Sequence, residues 1–173
     1  MLAETSRRDL RAWQQMTATL GREVRREIEE TPTGQIMQES LDRAVDLITS
    51  LPREAGERVE HLATEALYTG ARPADMVAEI MRAGDVSESR AMLIARTETS
   101  RAQSELMKAR AEHVGSTHFQ WLCVMDADTR PSHRKLNGKV FRWDDPPECD
   151  PGYHALPGGI FNCRCVARPI LEG

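Results

Sequence analysis

All four cysteines of this 173-residue chain, Cys123, Cys149, Cys163 and Cys165, fall in its last third. Two of its three tryptophans, Trp121 and Trp143, lie there as well. A short segment that concentrates Cys, His, Trp, Gly and Pro cannot bury a large core, so it needs a local staple. This splits the expected architecture. Residues 1–115 read as a helical region, and residues 116–173 as a small β-rich Cys/His module. The expected fold class is α+β.

In the first region apolar residues recur every three or four positions. Leu10, Trp13, Thr17, Leu20, Val24 and Ile28 form one stripe, and the other faces are dense in Arg and Glu. That pattern predicts an amphipathic helix. Its mixed charges argue against a membrane surface and leave its own bundle or a partner as the packing surface. Thr31-Pro32-Thr33-Gly34 should break it. Met37, Leu41, Val45 and Ile48 mark a second helix. A third is expected over about 54–69, with Val59, Leu62, Ala66 and Leu67 inward and Gly70 as a left-handed stop. Pro73 suits the first turn of a fourth, which Gly84 should end. Asp85 and Glu88 resemble a capping box opening a long last helix over 86–114. Its inward positions are mainly small: Ala91, Ala95, Ala102 and Ala109.

The period then changes to two. Phe119, Trp121, Cys123 and Met125 alternate with their neighbours, which predicts a strand. Asp126-Ala127-Asp128 reads as a turn, and residues 131–136 as at most two helical turns. Asn137-Gly138 is a hairpin-turn signal. Further strands are expected over 139–143 and 163–168, with an irregular Pro/Gly-rich loop over 144–161.

Hydrophobic content of 40% with 29% charged residues suits a globular protein. No apolar run reaches the roughly 20 residues that a bilayer span needs. The start lacks the apolar core of a secretory signal, so a cytosolic beginning is expected. In that compartment thiols or metal ligands are favoured over disulfides. The net charge of −4 does not match a free-standing nucleic-acid binder. Any DNA contact would come from a local patch, namely Arg130, Arg134, Lys135 and Lys139.

Cys163 and Cys165 are two apart. On a strand their side chains share a face, which can present two thiolates to one metal and hinders a disulfide between them. His133 is a third candidate ligand and Cys123 the favoured fourth, ahead of Cys149, His154 and Asp126. A structural zinc site wants four such ligands. Metal, buried free thiols and a disulfide remain alternatives at this level. Asp126, Arg130 and His133 could also be read as a catalytic group beside a Cys nucleophile. The plainer reading has Asp126 capping its turn, Arg130 pairing with a carboxylate and His133 bonding a loop carbonyl. No phosphate loop, His-Glu-x-x-His or serine elbow is present. The polar run Arg96 to Arg101 is either a solvated helix face or a dock for the module.

The order of these pieces resembles the minor head, or head-morphogenesis, proteins of tailed bacteriophages, the family typified by the F protein of phage Mu. The residues that carry the resemblance are Ala95-Arg96-Thr97-Glu98-Thr99, Trp121 to Asp126, Thr129-Arg130-Pro131-Ser132-His133, Leu136 to Phe141, Asp144-Asp145-Pro146 and Cys163-Arg164-Cys165. Together they span roughly residues 70–170. Within them Asp126, Thr129, Arg130, Pro131 and Gly138 form the motif of the module. The Cys149 to His154 loop and the modest length depart from the pattern, so a short member or a fragment is expected. The resemblance implies a non-enzymatic minor head component near the portal vertex that assists procapsid assembly and DNA packaging or ejection. It implies the portal, a scaffold or major capsid protein and the packaged genome as partners. It places the chain in the virion, and in the host cytoplasm during assembly. In part of the family it implies a zinc-like site with ligands at the positions of Arg130 and His133, and Arg130 removes one of them. The competing classes are an enzyme or toxin-like effector using the Cys/His module, and a metal-stapled DNA-binding protein.

Overall fold

The computed structural model describes the backbone of residues 2–45 and 51–171, and side chains within 14–39 and 51–171. The order of elements is α1 (Leu2–Glu30), α2 (Pro32–Val45), α3 (Arg53–Thr69), α4 (Pro73–Gly84), α5 (Glu88–His113), β1 (His118–Leu122), α6 (Pro131–Leu136), β2 (Val140–Arg142), β3 (Glu148–Asp150), β4 (Tyr153–His154) and β5 (Val166–Ile170). Helices dominate the first part and short antiparallel strands the second, an α+β fold.

α5 is the axis of the helical part, and α2, α3 and α4 all pack on it. Its small residues make this geometry accessible. Ala91, Ala95 and Ala102 are fully buried, so neighbouring helices approach its backbone closely. The apolar content comes from the partners: Met37, Val59 and Ile80 have no exposed surface. Each such side chain contributes about 2 kcal/mol of transfer free energy. The stripe on α1 is only partly used. Ile28 is buried and Val24 packs against the core, whereas Leu20 is 63% exposed and Thr17 is exposed. The side chains of Leu10, Trp13, Leu41 and Val45, and all of Ile48, lie outside the described residues.

Several helix boundaries differ from expectation, each for a local reason. The break after α1 is one residue long, because Pro32 already opens α2. The Thr31 hydroxyl donates to Glu27 O at 2.6 Å and accepts from Gly34 N–H at 3.3 Å. Gly34 is required there, since a Cβ would collide with the carbonyl of Ile28. α4 is stopped by Asp85, at φ 48°, and not by Gly84. Gly84 instead gives room to Leu51, whose Cδ2 would lie 2.6 Å from an added Cβ. Because Asp85 takes the left-handed conformation, it cannot also be the extended N-cap of α5. Ser87 caps α5, accepting from Arg90 N–H at 3.4 Å. Gly70 does stop α3 at φ 72°, as expected.

In the β-rich part, β1 is central and antiparallel to both β2 and β5. Phe119 and Trp121 project from β1 into a core with Trp143, Cys149, Leu156 and Ile160. Phe119 and Trp143 have ring centroids 4.6 Å apart, and Trp143 Nε1 donates to Ser116 Oγ at 3.2 Å. Ala111, on the last turn of α5, belongs to this same core. Asn137-Gly138 does not make a β-hairpin; it joins α6 to β2, with Gly138 at φ 79° donating to Trp121 O at 2.8 Å. The stretch 144–161 is not wholly irregular, because β3 and β4 pair within it. The final strand begins at Val166, so Cys163 and Cys165 precede it.

Candidate functional site

His133 lies on α6, whose first turn is opened by Pro131. It is 2% exposed and meets the edge of Trp121, with centroids 5.4 Å apart at 80°. Its Nδ1 is 3.6 Å from Cys163 Sγ and 3.5 Å from Cys165 Sγ. The three ligand-type atoms all lie within 4.8 Å of one another. The sequence placed both thiols on one strand; the structure brings them together differently. Asn162, at φ 52°, turns the chain immediately before Cys163, and the thiols precede β5.

The other cysteines have different surroundings. Cys123 Sγ is 3.2 Å from Cys165 Sγ, and its thiol donates to His133 O at 3.2 Å. Cys123 is outside the three-residue cluster. Cys149 is buried, and its thiol donates to Tyr153 O at 3.4 Å across the β3–β4 pair. Burial pushes that thiol up. His154 is exposed, with Nδ1 3.0 Å from Pro146 O. Neither Cys149 nor His154 joins the cluster.

A hydrogen bond from the Cys165 thiol holds Cys163 well below the usual thiol range, against the opposing effect of burial. The Gly158 N–H, 3.3 Å from Cys163 Sγ, acts in the same direction. Cys165 is pushed strongly upward, first by that shared proton and then by burial. A divalent cation would remove the repulsion between two neighbouring thiolates.

The donor set fits such a cation. For metal bonds of about 2.0–2.3 Å at a tetrahedral angle, N···S separations are about 3.6 Å. The observed 3.5 and 3.6 Å match without movement. His133 Nε2 is buried with no hydrogen-bond partner and stands 4.0 Å from Asp150 Oδ1. Metal-bound imidazoles commonly turn the second nitrogen toward a carboxylate, so this disposition is also consistent. Asp150 is held by Ser132 Oγ, donating at 2.7 Å, and by Arg130 Nε at 3.3 Å.

The motif residues mainly tie loops together. Arg130 also donates to Phe161 O at 2.9 Å and stacks over the Phe161 ring at 4.6 Å. Asp126 accepts from Thr129 Oγ1 at 3.0 Å and pairs with Arg164 at 2.7 Å. The Arg164 guanidinium lowers the Asp126 carboxyl below its ordinary value. Arg134 donates to Thr129 O at 3.0 Å and to Asp126 O. Of the four proposed DNA-contacting cations, Arg130 and Arg134 are thus engaged within the protein, whereas Lys135 and Lys139 are exposed.

Of the two readings of the polar run on α5, the dock for the module is the one found, with Arg96 alone left exposed. Thr97, Glu98 and Thr99 are buried. Arg101 pairs with Glu98 at 2.9 Å and donates to Gly159 O at 3.3 and 3.2 Å. Ser104 donates to Pro157 O. Gly158, at φ 89°, lies against α5, and an added Cβ would stand 2.7 Å from Ser104 Oγ. Burial raises the Glu98 carboxyl despite Arg101. Sequence reasoning missed Asp150, Gly158 and Ser104 as parts of this arrangement. The signals available were only an Asp beside Cys149 and a Gly-Gly pair five residues before the last cysteines.

Fold and site together define a class: an α+β protein whose β-rich end is closed by a buried imidazole and two thiols and latched to a helical axis. A family model described as "Phage Mu protein F like protein" matches residues 57–168, and the chain belongs to that family. An uncharacterized protein of Haemophilus influenzae is 34% identical over 128 residues, covering 74% of this chain and 28% of that protein. Minor head protein GP7 of Bacillus phage SPP1 is 25% identical over 158 residues, covering 82% of this chain and 51% of that protein. A protein of Enterococcus faecalis named NAD(+)--arginine ADP-ribosyltransferase EFV is 26% identical over 130 residues, covering 69% of this chain and 27% of that protein. The chain therefore spans about half or less of the length of these relatives. No solved structure matches it. No helix among the described residues is long and apolar enough to cross a membrane.

Proposed function

We propose that this chain is a structural, non-enzymatic component of a phage head, associated with the portal vertex and assisting procapsid assembly and DNA packaging or ejection. The observation that carries this reading is the extent of the family match. Residues 57–168 run from within α3 through α5 and the Cys/His module into β5, and include the Arg101–Gly159 latch. The similarity to a protein named as a minor head protein supports the same assignment. The partners on this reading are the portal, a scaffold or major capsid protein and the packaged DNA. The chain resides in the virion, and in the host cytoplasm during assembly.

Residues 1–115 supply the helical region on this proposal, and residues 116–173 the module. His133, Cys163 and Cys165 hold a zinc-like ion that cross-links α6 to the segment before β5. A bound ion supplies folding free energy to a module too small to rely on its core. Lys135 and Lys139 are the cations left for DNA.

The test is mass spectrometry of procapsids and mature heads from the phage that encodes the chain. Its presence in either, together with portal protein, is expected. Absence from both overturns the structural assignment. The relative named as an ADP-ribosyltransferase motivates a second reading, that of an enzyme. Against it, His133, Cys163 and Cys165 are each at most 6% exposed, out of reach of a large substrate. Transfer of label from NAD+ to an arginine-containing acceptor by the purified chain would favour the enzyme.

A further inference from the structure

The cluster offers three ligands, and a tetrahedral ion has four positions. The sequence nominates Cys123 for the fourth. Its surroundings give it another task. The Cys123 amide donates to Asn137 Oδ1 at 2.8 Å, which fixes the backbone, and its thiol donates to His133 O in the middle of α6. Its sulfur lies 3.2 Å from Cys165 Sγ, closer than the roughly 3.8 Å edge between two thiolates on one tetrahedral ion.

Cys123 is also absent from the lining of the cavity beside the cluster. This cavity, of about 20 Å³, is bordered by His133, Cys163 and Cys165 themselves. That volume accommodates one water, which needs about 10–15 Å³. Its remaining wall is mixed: Val124, Thr129, Asn162, Arg130 and Arg164, with Asp128 paired to Arg164 at 3.6 Å. Arg130 is paired with Asp150, and Arg164 with Asp126 and Asp128, so the space is close to neutral before an ion binds and suits water as well as a small anion.

We propose that the protein leaves the fourth position to an exchangeable small ligand, water or a small anion, seated in this cavity, while Cys123 stays outside the coordination sphere. The proposal rests on the metal reading above. Three protein ligands with one open position are the arrangement by which an ion keeps its chemistry accessible, in contrast to a closed structural site. The cavity limits that access to ligands of a few atoms.

The test uses the full chain loaded with Co²⁺, whose sulfur-to-cobalt absorption counts thiolates. The wild type and Cys123→Ala should show the same band, and added azide should shift the ligand-field bands of both. Cys123→Ser, which keeps a donor for His133 O, guards against a folding defect and should behave alike. A fall of the band by about one third in both variants, as expected if one of three thiolates is lost, overturns the proposal. So does insensitivity to azide. Absence of any sulfur-to-cobalt band in the wild type ends the metal reading itself, an outcome distinct from the other two.

Discussion

The helical part and the β-rich part reach stability by different routes. Around α5 the stabilising contacts are numerous, apolar and long-ranged, with alanines on the axis and Met37, Val59 and Ile80 filling the space between helices. In the module, strands of two to five residues surround a small core of Phe119, Trp121 and Trp143, and side chains such as Arg130 and Arg134 bond loop carbonyls around it. The first arrangement spreads its free energy over many residues. On the metal reading proposed above, the second adds a contribution concentrated in a few residues, which exposes it to single substitutions and to chelation.

The largest expected effect comes from striking that concentration. His133→Ala, or treatment with a zinc chelator, should cost on the order of 5 kcal/mol in the module. Hydrogen exchange should show β5 and residues 156–165 losing protection while α3 to α5 keep theirs. If both regions lose protection together, the contrast fails and the chain is one cooperative unit.

Arg101 joins the two regions, and its removal should rank next. Arg101→Ala leaves Glu98 buried without its partner, at a cost of about 3 kcal/mol near neutral pH. Burial already raises the folded-state Glu98 carboxyl above its ordinary 4.5, and the variant should raise it further. A carboxyl raised on folding contributes stability that is present below the unfolded value and is lost as pH rises through the folded one. The deficit of the variant should therefore shrink on acidification toward pH 4.5 and grow above it. Denaturant titrations at several pH values check this; a pH-independent deficit would assign the loss to packing alone.

A substitution confined to the helical axis should be milder and should spare the module. Ala102→Leu forces a larger side chain into a fully buried position, at a cost of about 2 kcal/mol. Thermal melts should shift, while the Co²⁺ spectrum of the module stays as in the wild type. The smallest effect is expected from the exposed lysines. Lys135→Gln with Lys139→Gln should change stability by less than about 0.5 kcal/mol. The same pair should weaken whatever DNA binding the chain has and reduce its salt dependence. Salt-insensitive DNA binding would remove these lysines from the proposal.

The sequence was most legible where one local rule acts alone. Periodicity located the helices, Gly70 stopped α3, and the concentration of Cys and Trp marked the β-rich end. The α+β class and the family resemblance followed from the order of such pieces. Boundaries failed where a residue answered to a distant neighbour. Gly84 looked like a stop but serves Leu51, and the cap of α5 passed from Asp85 to Ser87 because Asp85 was already used to end α4. Thr97 to Thr99 could be read as a solvated face or as part of a dock for the module, and it is buried: Thr99 meets Met76 of α4, while Arg101 and Ser104 on the same helix bond the loop at 157–159.

For the site, the amino-acid sequence alone determined which atoms are available: two thiols two residues apart, an imidazole after Thr-Arg-Pro, and two further cysteines. It nominated His133, Cys163 and Cys165 as one set, but it did not determine how they meet or where the other two cysteines lie. The tertiary structure brought Cys163 and Cys165 to His133 through the turn at Asn162, kept Cys123 to one side on a carbonyl of α6, and spent Cys149 on the β3–β4 pair. The reason is physical. Ligand-scale proximity of a few ångströms between residues some thirty positions apart is set by the packing of the elements that carry them, and local spacing along the chain contains no term for that.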